Sequence, residues 1–304
     1  MPRFTNKVAI ITGSSNGIGR ATAVILARDG AKVTITGRNA ERLEETRQQI
    51  IGAGVSSKNI NAVVTDLNTS EGQDQIINST LQKFGKLDIL INNAGSSFID
   101  QTGKVGLYHD ISLFDQNMLM NVRSVVELTQ KARPHLEKAQ GEIVNVSSIA
   151  ASDQSQPDYY SVSKAALDQF TRNIALELIA SGVRVNCVKP GLVSTGFAEA
   201  KGATKDGADK FYSAMGSQPT CIPAGKCGEP EDIANVIAFL ADRAASFYVV
   251  GQMIIADGGT SLCQLALSKQ KEHSGYTTQW DLNQVVSKLE DMVNRKISSM
   301  LSPS

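Results

Sequence analysis

Short runs of mainly apolar residues recur along this chain, too short for helices and too continuous for strands with one wet face. Val8–Thr12, Lys32–Thr36, Asn61–Thr65, Leu87–Asn92, Gly141–Ser147, Arg184–Lys189 and Gln252–Ala256 are rich in Val and Ile on successive residues. That is the pattern of strands covered on both faces. Helical periodicity fills the gaps, at Ile18–Asp29, Ala40–Ile51, Gln73–Phe84, Phe114–Lys138, Tyr159–Ser181 and Pro230–Leu240. Strand and helix in alternation predict an α/β fold with a parallel sheet and right-handed crossovers. One doubly wound domain accounts for residues 1–262.

The 304-residue chain departs from this rhythm in three places. Gly196 to Gly228 has no strand pattern but carries Phe211, Tyr212 and Met215. A loop of that length in a compact domain is expected to serve function. Ser96–Ser112 is a shorter case. Residues 263–304 form a C-terminal extension. There Leu282, Val285, Val286, Leu289, Met292, Val293, Ile297, Met300 and Leu301 repeat at helical spacing, which predicts an amphipathic helix near 281–301. Its apolar stripe can pack on its own subunit, on a neighbouring one, or on a membrane surface.

Charge and cysteine content exclude several classes. Thirty basic and 30 acidic residues leave no net charge, so no bulk attraction draws nucleic acid or an acidic membrane. The four cysteines have no CxxC spacing and the three histidines are scattered, so no metal site is expected. No stretch approaches the roughly 20 apolar residues that cross a bilayer, and the N-terminus lacks a signal-peptide pattern. A cytoplasmic protein with free thiols is the expectation.

The first strand runs into Thr12-Gly13-Ser14-Ser15-Asn16-Gly17-Ile18-Gly19, where a helix begins. Glycines there allow close approach of a pyrophosphate, and the helix N-terminus favours its charge. A strand, glycine turn and helix in the first βαβ unit predict a dinucleotide site of Rossmann type, with Gly13, Ser15, Asn16, Gly17, Ile18 and Gly19 around the phosphates. After the second strand an acidic residue would bind an adenosine ribose 2′-hydroxyl. Here the residues are Thr36-Gly37-Arg38-Asn39, and Arg38 suits a 2′-phosphate. The cofactor expected is NADP(H), with NAD(H) the alternative.

Tyr160 and Lys164 stand four apart and share one helix face. A free phenol, pKa roughly 10, is a poor proton donor and acceptor at neutral pH. A nearby ammonium is expected to lower that pKa and make Tyr160 a general acid and base.

Together these motifs resemble the classical short-chain dehydrogenase/reductases over residues 5 to about 262, and among them the tropinone-reductase-like carbonyl reductases. The resemblance implies further roles. Asp66 and Leu67 match the position that contacts adenine. Asn92-Asn93-Ala94-Gly95 matches the motif ending the fourth strand, with Asn93, Ala94 and Gly95 at the cofactor. Asn121, Ser148, Tyr160 and Lys164 match the catalytic tetrad, and Ser148 rather than the adjacent Ser147 matches the usual serine. Pro190, Gly191, Val193 and Thr195 lie in the stretch that holds the nicotinamide amide. Tyr160 and Lys164 also contact the cofactor, and Asn121 is implied to hold a water linking Lys164 to solvent. Asp257-Gly258-Gly259 matches the end of the last strand, and the extension beyond it is a departure from the family.

The implied activity is hydride transfer between NADP(H) and a neutral, largely apolar ketone or secondary alcohol, in a homo-oligomer (tetramer or dimer). Phe197, Phe211, Tyr212 and Met215 are candidates either to line the substrate pocket or to cover the core. The competing readings are an NAD-dependent alcohol dehydrogenase and a catalytically silent NADP-binding scaffold.

Overall fold

The computed structural model describes residues 2–100, 102, 104, 106–152, 158–200 and 204–263. Seven strands form one sheet: β1 (Val8–Ile11), β2 (Lys32–Gly37), β3 (Ile60–Val64), β4 (Ile89–Asn92), β5 (Glu142–Val146), β6 (Arg184–Pro190) and β7 (Met253–Ala256). All neighbours pair in parallel, in the order β3-β2-β1-β4-β5-β6-β7. The chain works outward from β1 to β3, then returns to β4 on the other side of β1. That reversal opens a crevice at the carboxyl ends of β1 and β4, where ligands bind in doubly wound sheets.

Helices cover both faces. Alternate residues of the sheet, such as Ala9, Ile11, Val33 and Val144, pack against α1 (Gly17–Arg28), α2 (Ala40–Gly52) and α9 (Pro230–Ala241) through Leu26, Leu43, Ile50 and Ile237. The intervening Ile10, Leu90 and Ile143 face α3 (Ser70–Phe84), α5 (Ser124–Ala139) and α6 (Tyr159–Leu178) through Ile76, Leu128, Ala132 and Leu178. Each such buried aliphatic side chain contributes about 1.5–3 kcal/mol. Side-chain caps start the helices: Asn39 accepts from the Arg42 amide (2.8 Å) and Thr69 from that of Gly72 (3.1 Å).

Three expectations are corrected. The helix predicted over Phe114–Lys138 is three pieces, α4 (Ile111–Met118), a π-helical turn at Leu119–Arg123 and α5. The segment Gly196–Gly228 is not a loop throughout, because it contains α7 (Phe197–Ala200) and α8 (Lys205–Gly216). Their Ala198, Ala208, Phe211 and Tyr212 join Ile222 and Cys227 in a satellite cluster rather than extending the main core. Strand ends move by a residue or two. The amphipathic helix near 281–301 lies outside the described residues. Among the described residues, no helix is long and apolar enough to cross a membrane, and no cluster of three or more His, Cys, Asp or Glu could hold a metal.

The amino ends of β5 and β6 are joined by buried charge. Arg184 and Glu142 are register partners and pair at 2.8 Å, both almost fully enclosed. Arg184 also donates to the carbonyls of Ser246 (2.6 Å), Val249 (3.0 Å) and Leu240 (3.0 Å), and Arg243, on the short helix α10 (Arg243–Ser246), reaches Glu142 at 2.6 Å. One guanidinium thus ties β6 to the chain between α9 and β7. Replacing Arg184 with Met strands those carbonyls and half of the Glu142 carboxylate. It should lower stability by about 3–5 kcal/mol, read as a reduced midpoint in denaturant or thermal unfolding.

Candidate active site

The turn after β1 is locked to the end of β4. The amides of Asn93 and Ala94 donate to the Thr12 hydroxyl at 3.0 and 2.9 Å, and the Asn93 side chain donates back to the carbonyls of Thr12 (2.8 Å) and Gly13 (3.2 Å). Gly13 sits at φ +63, and a Cβ there would lie 2.8 Å from the Ala94 Cα, so only glycine fits without strain. A Cβ on Gly19 would collide with the Asn93 amide and the Gly13 carbonyl. Asn16 caps α1 by accepting from the Gly17 amide (2.8 Å), Ile18 opens the first turn, and no acidic side chain stands there. A bare cradle at the start of a helix without acidic groups fits a pyrophosphate.

The same turn reaches β2. Ser14 and Thr36 exchange two bonds, amide to carbonyl (3.0 Å) and amide to hydroxyl (2.8 Å). The Ser15 hydroxyl lies 2.9 Å from where a Cβ on Gly37 would stand, which sets Ser15 beside the Gly37-Arg38 step. Arg38 is exposed and has no ion pair among the described residues. At the end of β3, Asp66 accepts from the Asn68 amide (3.0 Å), and Leu67 is buried, its carbonyl held by Gln73 (2.9 Å). Across the crevice, the Gly191 amide donates to Ala256 (3.1 Å), and Val193 bridges in parallel to Gly228. These ties hold the stretch from Pro190 so that Thr195 faces Gly17, with its Cγ2 3.1 Å from where a Cβ would stand.

The proposed proton-transfer residues converge at the carboxyl ends of β4 and β5. Ser148 acts on the Tyr160 phenol, favouring its ionised form, and the Tyr160 ring lies 5.9 Å from that of Phe197. Ser148 also caps the turn that follows β5 by accepting from the Ala150 amide (3.1 Å). Ser147 turns away, donating to the Lys164 carbonyl at 3.3 Å. Of the two adjacent serines, Ser148 is therefore the one at Tyr160. Lys164 is buried; its ammonium donates to the Val146 carbonyl (2.9 Å) and stands 5.7 Å from the Tyr160 ring centroid. Asn121, in the π-helical turn, is fully enclosed. Its amide donates to the Ser96 carbonyl (2.8 Å) and the Ser163 hydroxyl (3.0 Å), and its oxygen accepts from the Ser96 amide (3.0 Å). It bonds to other elements, not to its own helix. A Cβ on Gly95 would lie 3.0 Å from Asn121 Oδ1 and 3.1 Å from Lys164 Nζ, so Gly95 leaves the gap in which those two groups approach.

Electrostatics correct one expectation. Burial pushes the Tyr160 phenol up to about 12, the Ser148 bond pulls it down, and Asp158 pushes it further up. Burial brings the Lys164 ammonium down to about 8, with Cys187 and Asp168 acting in the opposite direction. The expected lowering of the phenol by Lys164 does not appear, because desolvation dominates.

Known proteins resemble this chain in sequence and fold. A family model described as enoyl-(acyl carrier protein) reductase matches residues 13–261. A short-chain dehydrogenase/reductase of unknown function from Caenorhabditis elegans, solved with cofactor, is 57% identical, with TM-score 0.84 over 86% of this chain and 97% of its own. A tropinone reductase homolog of Arabidopsis thaliana is 34% identical over 84% of this chain and 92% of its own. Dehydrogenase/reductase SDR family member 4 of Homo sapiens is 33% identical over 84% and 88%. The chain belongs to the short-chain dehydrogenase/reductase family. As in any member, the fold brings a nicotinamide cofactor to a small-molecule substrate.

Some residues at this short-chain dehydrogenase/reductase site escaped sequence reasoning. Ser96 and Ser163 hold Asn121, and Asp168 pairs with Lys189 below Lys164 at 2.8 Å. The signal for the last was present: Asp168 continues the face of Tyr160 and Lys164, and Lys189 is an ionisable residue in a buried strand. Phe211 and Tyr212 turn out to cover the satellite cluster, while Phe197 faces Tyr160.

Because the neutral phenol is favoured, Tyr160 should stay protonated at pH 10–11, where an exposed tyrosine (pKa roughly 10) ionises. Difference absorbance between the wild type and Tyr160→Phe, titrated without cofactor, should show no phenolate from Tyr160 below about pH 11. A transition near pH 9 would contradict the dominance of burial.

Proposed function

We propose that this protein is an NADP(H)-dependent carbonyl reductase, interconverting a neutral, largely apolar ketone and its secondary alcohol. The observation that carries the reading is Ser148 acting on the Tyr160 phenol with Lys164 one helical turn away, at the crevice where β1 and β4 diverge. Gly13, Gly17 and Gly19 would cradle the pyrophosphate, and Asp66 and Leu67 the adenine. Asn93, Ala94 and Gly95 would line the ribose side, and Pro190 to Thr195 the nicotinamide amide. When bound, the cofactor gives or takes the hydride.

The chain's residues handle the proton. In reduction Tyr160 donates its phenolic proton to the carbonyl oxygen, and in oxidation it takes that proton back. A phenol kept protonated by burial is ready for the first of these. Ser148 holds the reacting oxygen beside it. Lys164 has two N–H donors beyond the one given to Val146, available to ribose hydroxyls. Its charge is largely kept at pH 7, since burial brings the ammonium down only to about 8. Asn121 fixes the gap through which a water can reach Lys164. Ser15 and Arg38 stand together where an adenosine 2′-phosphate would lie, which favours NADP(H) over NAD(H).

The resemblance to a tropinone reductase homolog and the Phe197 ring beside Tyr160 support the substrate class. Exposed apolar side chains at Leu176, Phe247 and Tyr248 support a homo-oligomer, and the composition supports a cytoplasmic setting.

Tyr160→Phe should reduce turnover by about 10²–10⁴-fold while NADPH still binds, measured by fluorescence titration and NADPH oxidation over a ketone panel. Ser148→Ala should cost about 10²–10³-fold, and Ser147→Ala far less; equal losses would break the assignment of Ser148. Arg38→Asp should weaken NADPH binding by about 10- to 100-fold and improve NADH binding, so an unchanged NADPH to NADH ratio would remove Arg38 from cofactor choice.

A further inference from the structure

One buried ion pair lies directly behind the proton-transfer residues. Tyr160, Lys164 and Asp168 succeed one another at four-residue steps on α6, so they form one stripe facing the sheet. Asp168 pairs with Lys189 of β6 at 2.8 Å, and both side chains are nearly inaccessible. Lys189 also donates to the Ser152 hydroxyl (2.6 Å), just past the turn that Ser148 caps, and it immediately precedes Pro190. Its ammonium therefore touches or adjoins three elements: α6, the Ser148 turn and the Pro190–Thr195 stretch. Cys187 lies in the same layer, its thiol 3.9 Å from Asp168.

We propose that Lys189 is a positioning residue which neutralises Asp168, keeps that carboxylate from drawing the Lys164 ammonium off the Val146 carbonyl, and so sets how tightly Lys164 holds its proton. A buried carboxylate without a partner is costly, and the next cation along the same helix face is Lys164. Asp168 raises the proton affinity of Lys164 and burial lowers it. A second cation beside Asp168 tips the balance towards burial. The titratable groups around Lys164 are Tyr160 and Asp168 from its own helix and Cys187 from β6, with Lys189 of β6 on Asp168 and Asp158 acting on Tyr160. The thiol is neutral, since burial and Asp168 push it up to about 12, so the Asp168–Lys189 pair supplies the adjustable charge.

The inference rests on Lys164 belonging to the proton-transfer site, but it can be tested without cofactor or substrate. The Lys164 Cε resonance, assigned with Lys164→Arg in protein labelled at lysine ¹³Cε, reports the ionisation directly. Lys189→Met should raise the Lys164 midpoint by about one pH unit or more, and Asp168→Asn should lower it by a similar amount. The double variant should return to within about half a pH unit of wild type. The alkaline limb of the kcat–pH profile should move in the same directions. A purely structural pair would reduce stability and turnover in both single variants without opposite shifts, and that result overturns the proposal. Should either single variant fail to fold, Lys189→Arg and the double variant both retain charge balance, and a midpoint displaced by more than about one pH unit in either would overturn it as well. If Tyr160→Phe leaves turnover intact, the carbonyl-reductase reading fails while these titrations still stand or fall on their own.

Discussion

The architecture of this site depends on the seam between β1 and β4. Their carboxyl ends part because the strand order reverses there, and the parting is held open by a few polar bonds. The Thr12 hydroxyl takes two amides from the end of β4, and Asn93 returns two bonds to the turn. Each such bond contributes about 1 kcal/mol net, but leaving any of these groups unpaired would cost more. The seam therefore has one low-energy arrangement. The cofactor cradle, on β1, and the Gly95 gap, on β4, are consequences of it.

From the seam, order passes sideways through a polar layer at the carboxyl half of the sheet. Asn92 donates to Asn145 (2.9 Å), Asn145 donates to Thr171 of α6 (2.9 Å), and Asn145 is the register partner of Cys187. This layer lies one step below the residues proposed to move protons. Polar groups so deep are tolerated because each finds a partner within the described residues. They specify how α6 sits on the sheet more sharply than aliphatic packing would, since an aliphatic contact accepts small shifts and a hydrogen bond does not. The charged counterpart at the other end of the sheet, Arg184 with Glu142, ties the amino ends of β5 and β6 and takes no part in the site.

Much of this was legible from the residues because the physics was local. Continuous Val and Ile runs announce strands buried on both faces, and all seven appear where the runs lie. Tyr160 and Lys164 share a helix face because the spacing demands it. The glycine turn, Asn93 and Gly191 are recognisable because close backbone approach admits few residue types. What was not legible depended on contacts far apart in sequence. No local signal says that Lys164 donates to Val146, or that Asn121 reaches Ser96 and Ser163. Nor does spacing reveal that burial outweighs the Lys164 charge at Tyr160. The two helices inside Gly196–Gly228 were hidden because their apolar residues serve a small cluster of their own and show no long periodic stripe.

The same division explains why the chemistry is easier to read than the substrate. Tyr160, Ser148 and Lys164 stand on α6 and at the end of β5, elements fixed by the sheet. Most aromatic groups around them stand on less constrained supports: His109 and Phe114 meet Tyr159 of α6 at 5.8 Å and 5.5 Å edge-on, and Phe197 leans on Tyr160 from the short helix α7. His109 follows a single 3₁₀ turn, Gly106–Tyr108. Such segments can change length and side chain at little cost to the sheet. A rigid centre for proton transfer with a variable aromatic rim lets one scaffold keep its reaction while its substrate changes. It follows that substitutions around His109, Phe114 and Phe197 act on which substrate is accepted, whereas those along the stripe of α6 act on whether any reacts.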